Sequence, residues 1–265
     1  MTQATDGASA PVLVWRVGAI GHLRFNRPRA LNAIDVATAA AFRSACETFA
    51  ADPLLRVVVV SGEGRAFLAG GDVAAMGESP VTVARSLIDG MHGGLRILAA
   101  LDAPVIASVH GAVAGAGLGV MLACDLAIAA EGTRFSIAYP GIGASADCAT
   151  TWGLPRVVGL RKAMQIALLN EPFDAQEALR LGIVNDVVPA TELEARTQAW
   201  AGRLAAGAPR ALRSLKQLIR RSDEHTWEEH LDAEAEAFAA CASTEDFAEG
   251  VAAFLAKRPP SFTGR

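Results

Sequence analysis

The chain has 265 residues, of which 52% are hydrophobic and 20% are charged, so it can bury a large core and is not intrinsically disordered. Its net charge of −4 provides no overall attraction to nucleic acid or to an anionic membrane, so an anionic ligand would need local basic groups. The longest uncharged stretch, residues 111–124, is too short and too rich in glycine to span a bilayer.

The first part of the chain alternates strand and helix patterns. Residues 35–51 predict an amphipathic helix with Asp35 as its N-cap. Strands are predicted at residues 13–17, 19–25, 56–61, 104–109 and 125–130, the first two as a hairpin, and further helices near 81–101 and 117–124. Because the later strands are nearly continuous runs of valine and isoleucine, we expect a buried, largely parallel sheet.

The last part of the chain, from about residue 191 onward, contains helical patterns only. The predicted helices are residues 193–206, 209–221, 225–241 and 245–256. The sequence therefore predicts two domains, an α/β core over residues 1–195 and an α-helical segment over residues 196–265.

Two glycine-rich segments each follow a run of apolar β-branched residues. Residues 57–60 lead to the Gly-Gly-Asp at 70–72, and residues 105–109 lead to the glycine-rich stretch 115–119. Glycines after a strand allow tight turns and expose backbone N–H groups. Two such turns on neighbouring strands can direct two N–H groups at one oxygen, as in an oxyanion hole. From the pattern alone, glycines that merely permit close helix–sheet packing are an equal alternative.

A dinucleotide-binding fold is another interpretation of these glycines, but the spacing disfavours it. Residues 115–119 (GAGLG) place the third glycine one position too early for G-x-G-x-x-G. Residues 141–146 match G-x-G-x-x-A, but they follow Tyr139-Pro140 rather than a clear strand. They also lack the acid expected about twenty residues downstream.

Several further motifs follow one another in a fixed order. They are residues 26–33 (NRPRALNA), 66–72 (AFLAGGD), 110–117 (HGAVAGAG), 159–163 (GLRKA), 175–178 (AQEA), 182–184 (GIV), 245–250 (EDFAEG) and 254–259 (FLAKRP). With these motifs the chain resembles the crotonase (enoyl-CoA hydratase/isomerase) superfamily over almost its full length. The resemblance implies a crotonase-like ββα spiral core, an α-helical C-terminal trimerisation segment, and activity on acyl-coenzyme A thioesters.

The resemblance also assigns roles to individual residues. It places the two oxyanion donors at the backbone N–H groups of Gly71 and Ala116. The second position is usually glycine, but alanine keeps the N–H, and the dipole of the helix that starts there favours negative charge. The expected contacts of the coenzyme's adenine, pantetheine and 3′-phosphate are Arg29, Ala30, Leu31, Ala69, Asp72, Val73 and Lys257, the last sometimes from a neighbouring subunit. For Arg29 and Lys257, an ordinary solvated charge is the alternative.

Acids and bases must distinguish the reactions within the superfamily. The resemblance implies that hydratases carry two glutamates that handle the water, at positions that here hold Gly119 and Tyr139. Asp147, in contrast, falls where Δ3,Δ2-enoyl-CoA isomerases and the ring-expanding isomerase of phenylacetate degradation place an acid. We therefore expect double-bond isomerisation through a thioester enolate, with Asp147 as the proton shuttle. Without the resemblance, Asp147 would be interpreted as the cap of a helix over residues 148–158.

Three alternatives remain open. The chain also resembles 4-chlorobenzoyl-CoA dehalogenase, in which Asp147 would be the nucleophile, His92 the base, and Tyr139 the replacement of a tryptophan. An enoyl-CoA hydratase with atypical acids is the second alternative, and a non-catalytic crotonase-fold scaffold or an RNA-binding relative is the third. We favour His92, Tyr139 and Trp152 as residues that line the substrate pocket, and His110 as a support beside the second oxyanion donor.

The expected partners are an acyl-CoA substrate and further copies of this chain, as a homotrimer or a dimer of trimers. Coenzyme A enters as part of the substrate, and no tightly bound cofactor, metal, nucleic acid or membrane is expected. Residues 1–11 lack the basic start and apolar core of a signal peptide, and the four cysteines form no C-x-x-C pair. These features predict a protein of the reducing cytoplasm.

Overall fold

The computed structural model describes residues 10–76 and 79–265. Residues 1–9, on which most of the signal-peptide argument rests, lie outside the described residues. Among the helices that are described, none combines the length and the apolar character that a membrane crossing requires.

Two sheets carry the α/β part of the chain. The strands are β1 (Val12–Val17), β2 (Ile20–Phe25), β3 (Val57–Gly62), β4 (Val105–Val109), β5 (Ala112–Ala114), β6 (Leu126–Ala130), β7 (Arg134–Ser136), β8 (Phe173–Asp174) and β9 (Asp186–Val188). The main sheet has the order β1-β2-β3-β4-β6-β9, and the small sheet has the order β5-β7-β8. In the main sheet β1 and β2 form an antiparallel hairpin and all other neighbours are parallel, which confirms the predicted arrangement.

The helices confirm the predicted ones and add two that were not predicted. The helices are α1 (Val36–Ala50), α2 (Pro80–Ala100), α3 (Ala116–Ala123), α4 (Thr150–Val158), α5 (Leu160–Leu169), α6 (Ala175–Arg180), α7 (Leu193–Ala205), α8 (Pro209–Arg221), α9 (Trp227–Ala242) and α10 (Glu245–Leu255). The two that were not predicted are α5 and α6. Asp35 is the N-cap of α1, as predicted, and its carboxylate accepts a hydrogen bond from the N–H of Thr38 at 2.7 Å.

The valine run of β3 is explained by the burial of this strand on both faces of the sheet. Val58 and Val60 belong to the large core that α1 and α2 complete. Val57 and Val59 belong to a second core, to which α7 contributes Leu193 and Ala201. A strand that is buried on both faces does not alternate apolar with polar residues, because both sets of side chains point into a core. The predicted domain boundary between residues 195 and 196 falls within α7, and that helix packs on the sheet.

Candidate active site

The segments that carry the two predicted oxyanion donors, residues 68–71 and 113–116, run side by side. The N–H of Leu68 donates to the carbonyl of Ala112 at 3.2 Å, and the N–H of Ala114 donates to the carbonyl of Leu68 at 3.0 Å. These parallel-type bonds fix the register of the two segments. Their glycine turns therefore lie at the same end of the pairing.

The two turns approach each other closely at two glycines. Gly70 has a φ of 101° and Gly115 a φ of 52°, conformations that residues with side chains rarely adopt. A Cβ built on Gly115 would lie 3.5 Å from the Cα of Gly70. The glycines that immediately precede Gly71 and Ala116 are therefore close neighbours, and a side chain on either one would lie against the other.

Neither the N–H of Gly71 nor that of Ala116 has a hydrogen-bond acceptor among the described residues. Gly71 lies opposite Ile34, but this bridge uses the carbonyl of Gly70 and the N–H of Asp72, at 2.8 Å each. Ala116 is the first residue of α3, where N–H groups have no acceptor within the helix. Both amides are thus unused donors, and the second is at the positive end of a helix dipole.

Asp147 lies beside the second of these turns and is paired with Tyr139. The Tyr139 hydroxyl donates a hydrogen bond to Oδ1 of Asp147. The Cζ atom of Tyr139 is 3.8 Å from a Cβ built on Gly115, the residue before Ala116. Burial, the charge of Asp147 and this hydrogen bond raise the pKa of Tyr139, so the phenol remains a donor. The half-buried carboxylate is thereby held next to an unused donor.

Asp147 does not cap the following helix, so this alternative interpretation of the sequence is wrong. Helix α4 begins at Thr150, two residues later than predicted, and its N-cap is Ala149 without a capping side chain. Asp147 contributes only its main-chain carbonyl, which accepts the N–H of Thr150 at 3.0 Å. Its carboxylate is left for other contacts.

The turn between Asp147 and α4 is formed by two left-handed residues without a glycine. Cys148 has a φ of 51° and Ala149 a φ of 59°, and residues in this region typically cost about 1–3 kcal/mol each. His92 on α2 stabilises the turn, because its Nε2 accepts the N–H of Cys148 at 3.1 Å. This contact requires the neutral tautomer of His92 with the proton on Nδ1.

The same turn occupies the space next to Gly119. A Cβ built on Gly119 would lie 2.8 Å from the Cβ of Cys148 and 2.7 Å from Oγ1 of Thr150, which real Cβ atoms do not tolerate. A side chain at position 119 is therefore excluded unless the turn moves. The lack of the glutamate that the family resemblance implies for hydratases at this position is thus linked to the placement of Asp147.

A cavity of about 320 Å³ opens beside the turn, and Ala149 forms part of its wall. His92 and Trp152 both line it, so the structure brings together two of the three predicted pocket residues. The guanidinium of Arg156 stacks 3.8 Å from the centroid of the Trp152 ring and holds it in place. Tyr139, the third predicted residue, is not in this cavity but pairs with Asp147.

Three of the residues predicted to contact the coenzyme form a single turn. Arg29 and Ala30 lie in a 3-10 helix, Pro28–Ala30, and Arg29 is exposed. Leu31 follows in a left-handed conformation, and its carbonyl accepts the N–H of Ala69 at 3.1 Å. Three predicted coenzyme contacts therefore lie next to a fourth, which belongs to the first donor segment.

Asn32, which the sequence analysis did not single out, holds this turn in place. Its side-chain oxygen accepts the N–H of Arg27 at 2.7 Å, and its amide donates to the carbonyl of Ala66 at 2.8 Å. Asn32 is almost completely buried. The asparagine within the NRPRALNA motif was the signal that the sequence offered. An amide that becomes buried nearly always forms hydrogen bonds with its surroundings.

The other three predicted coenzyme contacts differ in their surroundings. The carboxylate of Asp72 is engaged by Arg27 at 3.1 Å. Val73 is exposed and begins a 3-10 helix, Val73–Met76, two residues after Gly71. Lys257 follows α10 and is exposed, and in the part of the chain that the structure describes no hydrogen bond or ion pair joins it to residues 29–31.

The expected role of His110 beside the second donor is wrong. Its Nε2 lies 2.8 Å from the carbonyl oxygen of Gly64, and its side chain lines a different, polar cavity together with Thr197 of α7. Side chains alternate along a strand, and His110 continues the parity of Ile106, which faces the second core under α7. Its side chain is therefore directed to the opposite face of the main sheet.

Comparisons with known proteins agree with this architecture. The family model described as enoyl-CoA hydratase/isomerase matches residues 16–265. A protein of Rhodobacter capsulatus named as a probable enoyl-CoA hydratase is 38% identical over 92% of this chain and 94% of that protein. A 1,2-epoxyphenylacetyl-CoA isomerase of Escherichia coli is 35% identical, again over 92% of this chain and 94% of that protein.

Solved structures give the same result. An enoyl-CoA hydratase from Polaromonas sp. JS666 has a TM-score of 0.89 and 34% identity, and covers 95% of this chain and 99% of that one. Hydratase names outnumber isomerase names among the similar proteins compared.

Proposed function

The chain belongs to the enoyl-CoA hydratase/isomerase family, with its crotonase fold and its acyl-CoA thioester substrates, and we propose that it is a Δ3,Δ2-enoyl-CoA isomerase. One observation carries this proposal. The half-buried carboxylate of Asp147 is held by Tyr139 beside the Gly115–Ala116 turn, while position 119 has no room for a hydratase acid.

The first step is stabilisation of the thioester enolate. The N–H groups of Gly71 and Ala116 donate to the thioester carbonyl oxygen, on which negative charge accumulates when C2 loses a proton. A preorganised donor of this kind contributes about 2.7–4 kcal/mol to the transition state. The support for this role is that both amides are without acceptors among the described residues and that each follows a glycine close to the other.

The second step is a proton transfer along one face of the acyl chain. Asp147 takes the proton from C2, and the C2–H electron pair becomes part of the dienolate. The same carboxyl group then returns the proton to C4, which leaves the double bond between C2 and C3. Tyr139 keeps one carboxylate oxygen in place as a hydrogen-bond acceptor, so the other is free to move the proton.

The substrate is placed by the two sites on either side of the reaction centre. The acyl group enters the cavity lined by His92 and Trp152, and the coenzyme lies along residues 28–31 and Ala69, with Lys257 contributed by this or a neighbouring copy. Coenzyme A is part of the substrate, and the reaction needs no other cofactor because no electrons leave the substrate.

A homotrimer or a dimer of trimers in a reducing cytoplasm is part of the same proposal. It is supported by large exposed apolar side chains on the helical segment, among them Phe238, Phe254 and Leu255, and by four free cysteines. Sedimentation analysis tests the assembly, and a monomer at micromolar concentration would contradict it.

Hydration is the second candidate, because hydratases are more frequent among the similar proteins. Dehalogenation by Asp147 and His92 is less compatible with the site, since Nε2 of His92 is already engaged by the N–H of Cys148. A product-mass experiment with 3-enoyl-CoA, 2-enoyl-CoA and 4-chlorobenzoyl-CoA separates these reactions. Isomerisation leaves the mass of the 3-enoyl-CoA unchanged while the double bond becomes conjugated. Rapid gain of water by the 2-enoyl-CoA would overturn the proposal.

A further inference from the structure

We propose that the cavity beyond the Cys148–Ala149 turn recognises acyl groups that end in a carboxylate, and that Arg96 is the residue that binds this carboxylate. The inference rests on the proposed function, because it takes this cavity as the acyl-binding site. It concerns the identity of the acyl chain, about which the reaction chemistry says nothing.

The position of Arg96 follows from helix geometry. His92 and Arg96 are four residues apart on α2, so they lie on the same face of the helix, and both line the cavity. His92 contacts Cys148, next to the proposed proton shuttle. At 1.5 Å per residue, Arg96 lies about 6 Å farther along the helix axis. An acyl chain that follows α2 through the cavity from His92 therefore ends near Arg96.

The walls between these two residues suit a carbon chain. Leu95, Leu122 and the ring of Trp152 contribute to the lining, and Trp152 is fixed by Arg156 on one side of its ring. Apolar walls bind methylene groups irrespective of what ends the chain. The apolar walls therefore account for affinity for the carbon chain, and the residue at the far end of the cavity accounts for selectivity between acyl groups with different ends.

The charges of the lining favour an anion. The lining contains His92, Arg96 and Arg220 and no aspartate or glutamate. Arg220 is committed to Asp125, at 2.7 Å, and to the carbonyl of Ala123, at 2.8 Å. Arg96 is exposed, and no hydrogen bond or ion pair joins it to any other residue in 10–76 and 79–265, so its guanidinium is available to a ligand. A carboxylate would give its guanidinium a planar, two-point acceptor.

The experiment compares saturated acyl-CoA ligands that differ only at the distal end, adipyl-CoA and hexanoyl-CoA, and their longer homologues. Dissociation constants are measured for the wild type, Arg96→Met, Arg96→Lys and the control Arg203→Met. Arg203 is exposed on α7, on the opposite face of the main sheet, so its substitution makes the same change in net charge away from the cavity. Unfolding temperatures verify that all variants are folded.

We expect Arg96→Met to weaken binding of the carboxylated ligand about 10-fold or more at the best chain length, with hexanoyl-type ligands nearly unchanged. Arg96→Lys should fall in between, because lysine provides charge without the planar fork. The inference is overturned if no chain length shows this difference, or if Arg203→Met weakens the carboxylated ligands equally.

Saturated ligands cannot be isomerised, so this result does not depend on turnover. If 3-enoyl-CoA is not isomerised but the binding difference is found, the proposed reaction fails and the assignment of Arg96 stands. If isomerisation occurs without the binding difference, only the assignment of Arg96 fails.

Discussion

Cys148 occupies the space that a side chain on Gly119 would need, since the Cβ of Cys148 lies 2.8 Å from a Cβ built on Gly119. An acid at position 119 and the turn that presents Asp147 therefore exclude each other. The chain thus differs from the expected hydratase pattern in two respects. Position 119 carries no glutamate, and the turn that contains Cys148 fills the space that a side chain there would need.

Substitution of this glycine should damage the protein without producing a hydratase. We expect Gly119→Glu to lower the free energy of unfolding by about 1–3 kcal/mol through overpacking and to reduce isomerisation at least about 10-fold. The matched control is Gly202→Glu, because Gly202 is an exposed position on α7 with no atom within 4 Å of an added Cβ. Chemical denaturation and turnover are the measurements. Hydration of 2-enoyl-CoA by Gly119→Glu would contradict this account.

Removal of the proposed proton shuttle should stop turnover and spare binding. We expect Asp147→Asn to lower kcat for 3-enoyl-CoA by about 10²- to 10⁴-fold, with coenzyme A affinity nearly unchanged. Asp232→Asn, an exposed substitution of the same type on α9, should have no effect. Near-normal turnover by Asp147→Asn would mean that another group carries the proton.

The Tyr139 phenol gives the protein a specific sensitivity to alkali. Burial and the adjacent Asp147 raise the pKa of Tyr139, so the folded state keeps a proton that the unfolded state loses above about pH 10. The sign of this linkage means that stability is fully present below pH 10 and decreases as the pH rises further. We expect Tyr139→Phe to remove this part of the alkaline loss. Urea unfolding of both proteins between about pH 8 and pH 11 measures it, and parallel stability curves would contradict it.

Variants of His92 distinguish support of the turn from catalysis by the ring. His92→Leu leaves the N–H of buried Cys148 without an acceptor, which costs about 1–3 kcal/mol of stability, and should lower turnover as the turn loosens. Glutamine can still accept this hydrogen bond, so His92→Gln should recover much of both properties. Equal inactivity of the two variants with unchanged stability would indicate that the histidine acts as a base.

The elements that could be predicted from the sequence are those with long, regular patterns. The valine run of β3 and the cap at Asp35 define their elements locally, whereas β5, β7, β8 and β9 have three residues or fewer and exist because neighbouring segments pair with them. Strands of three residues or fewer are too short to show a periodic pattern in the sequence.

The candidate site shows the same division between local and distant information. Asp147 was interpreted either as a cap or as an acid, and the choice depended on where α4 begins, which the left-handed pair Cys148–Ala149 decides. The prediction for His110 was wrong because it relied on the short distance in sequence to Ala116. The alternation of side chains along β4 determines the face of the sheet on which the His110 ring lies. Arg96 has the pattern of a solvated helix face, and only the surrounding cavity distinguishes it.

Arg27 forms ion pairs with both Asp35 and Asp72, each at 3.1 Å, and so joins the start of α1 to the segment that follows Gly71. The guanidinium of Arg27 therefore stabilises two regions: the turn proposed to bind the coenzyme, and the segment that carries the Gly71 amide proposed to bind the thioester carbonyl. Loss of Arg27 would therefore remove a support from the start of α1 and from the segment after Gly71 at the same time.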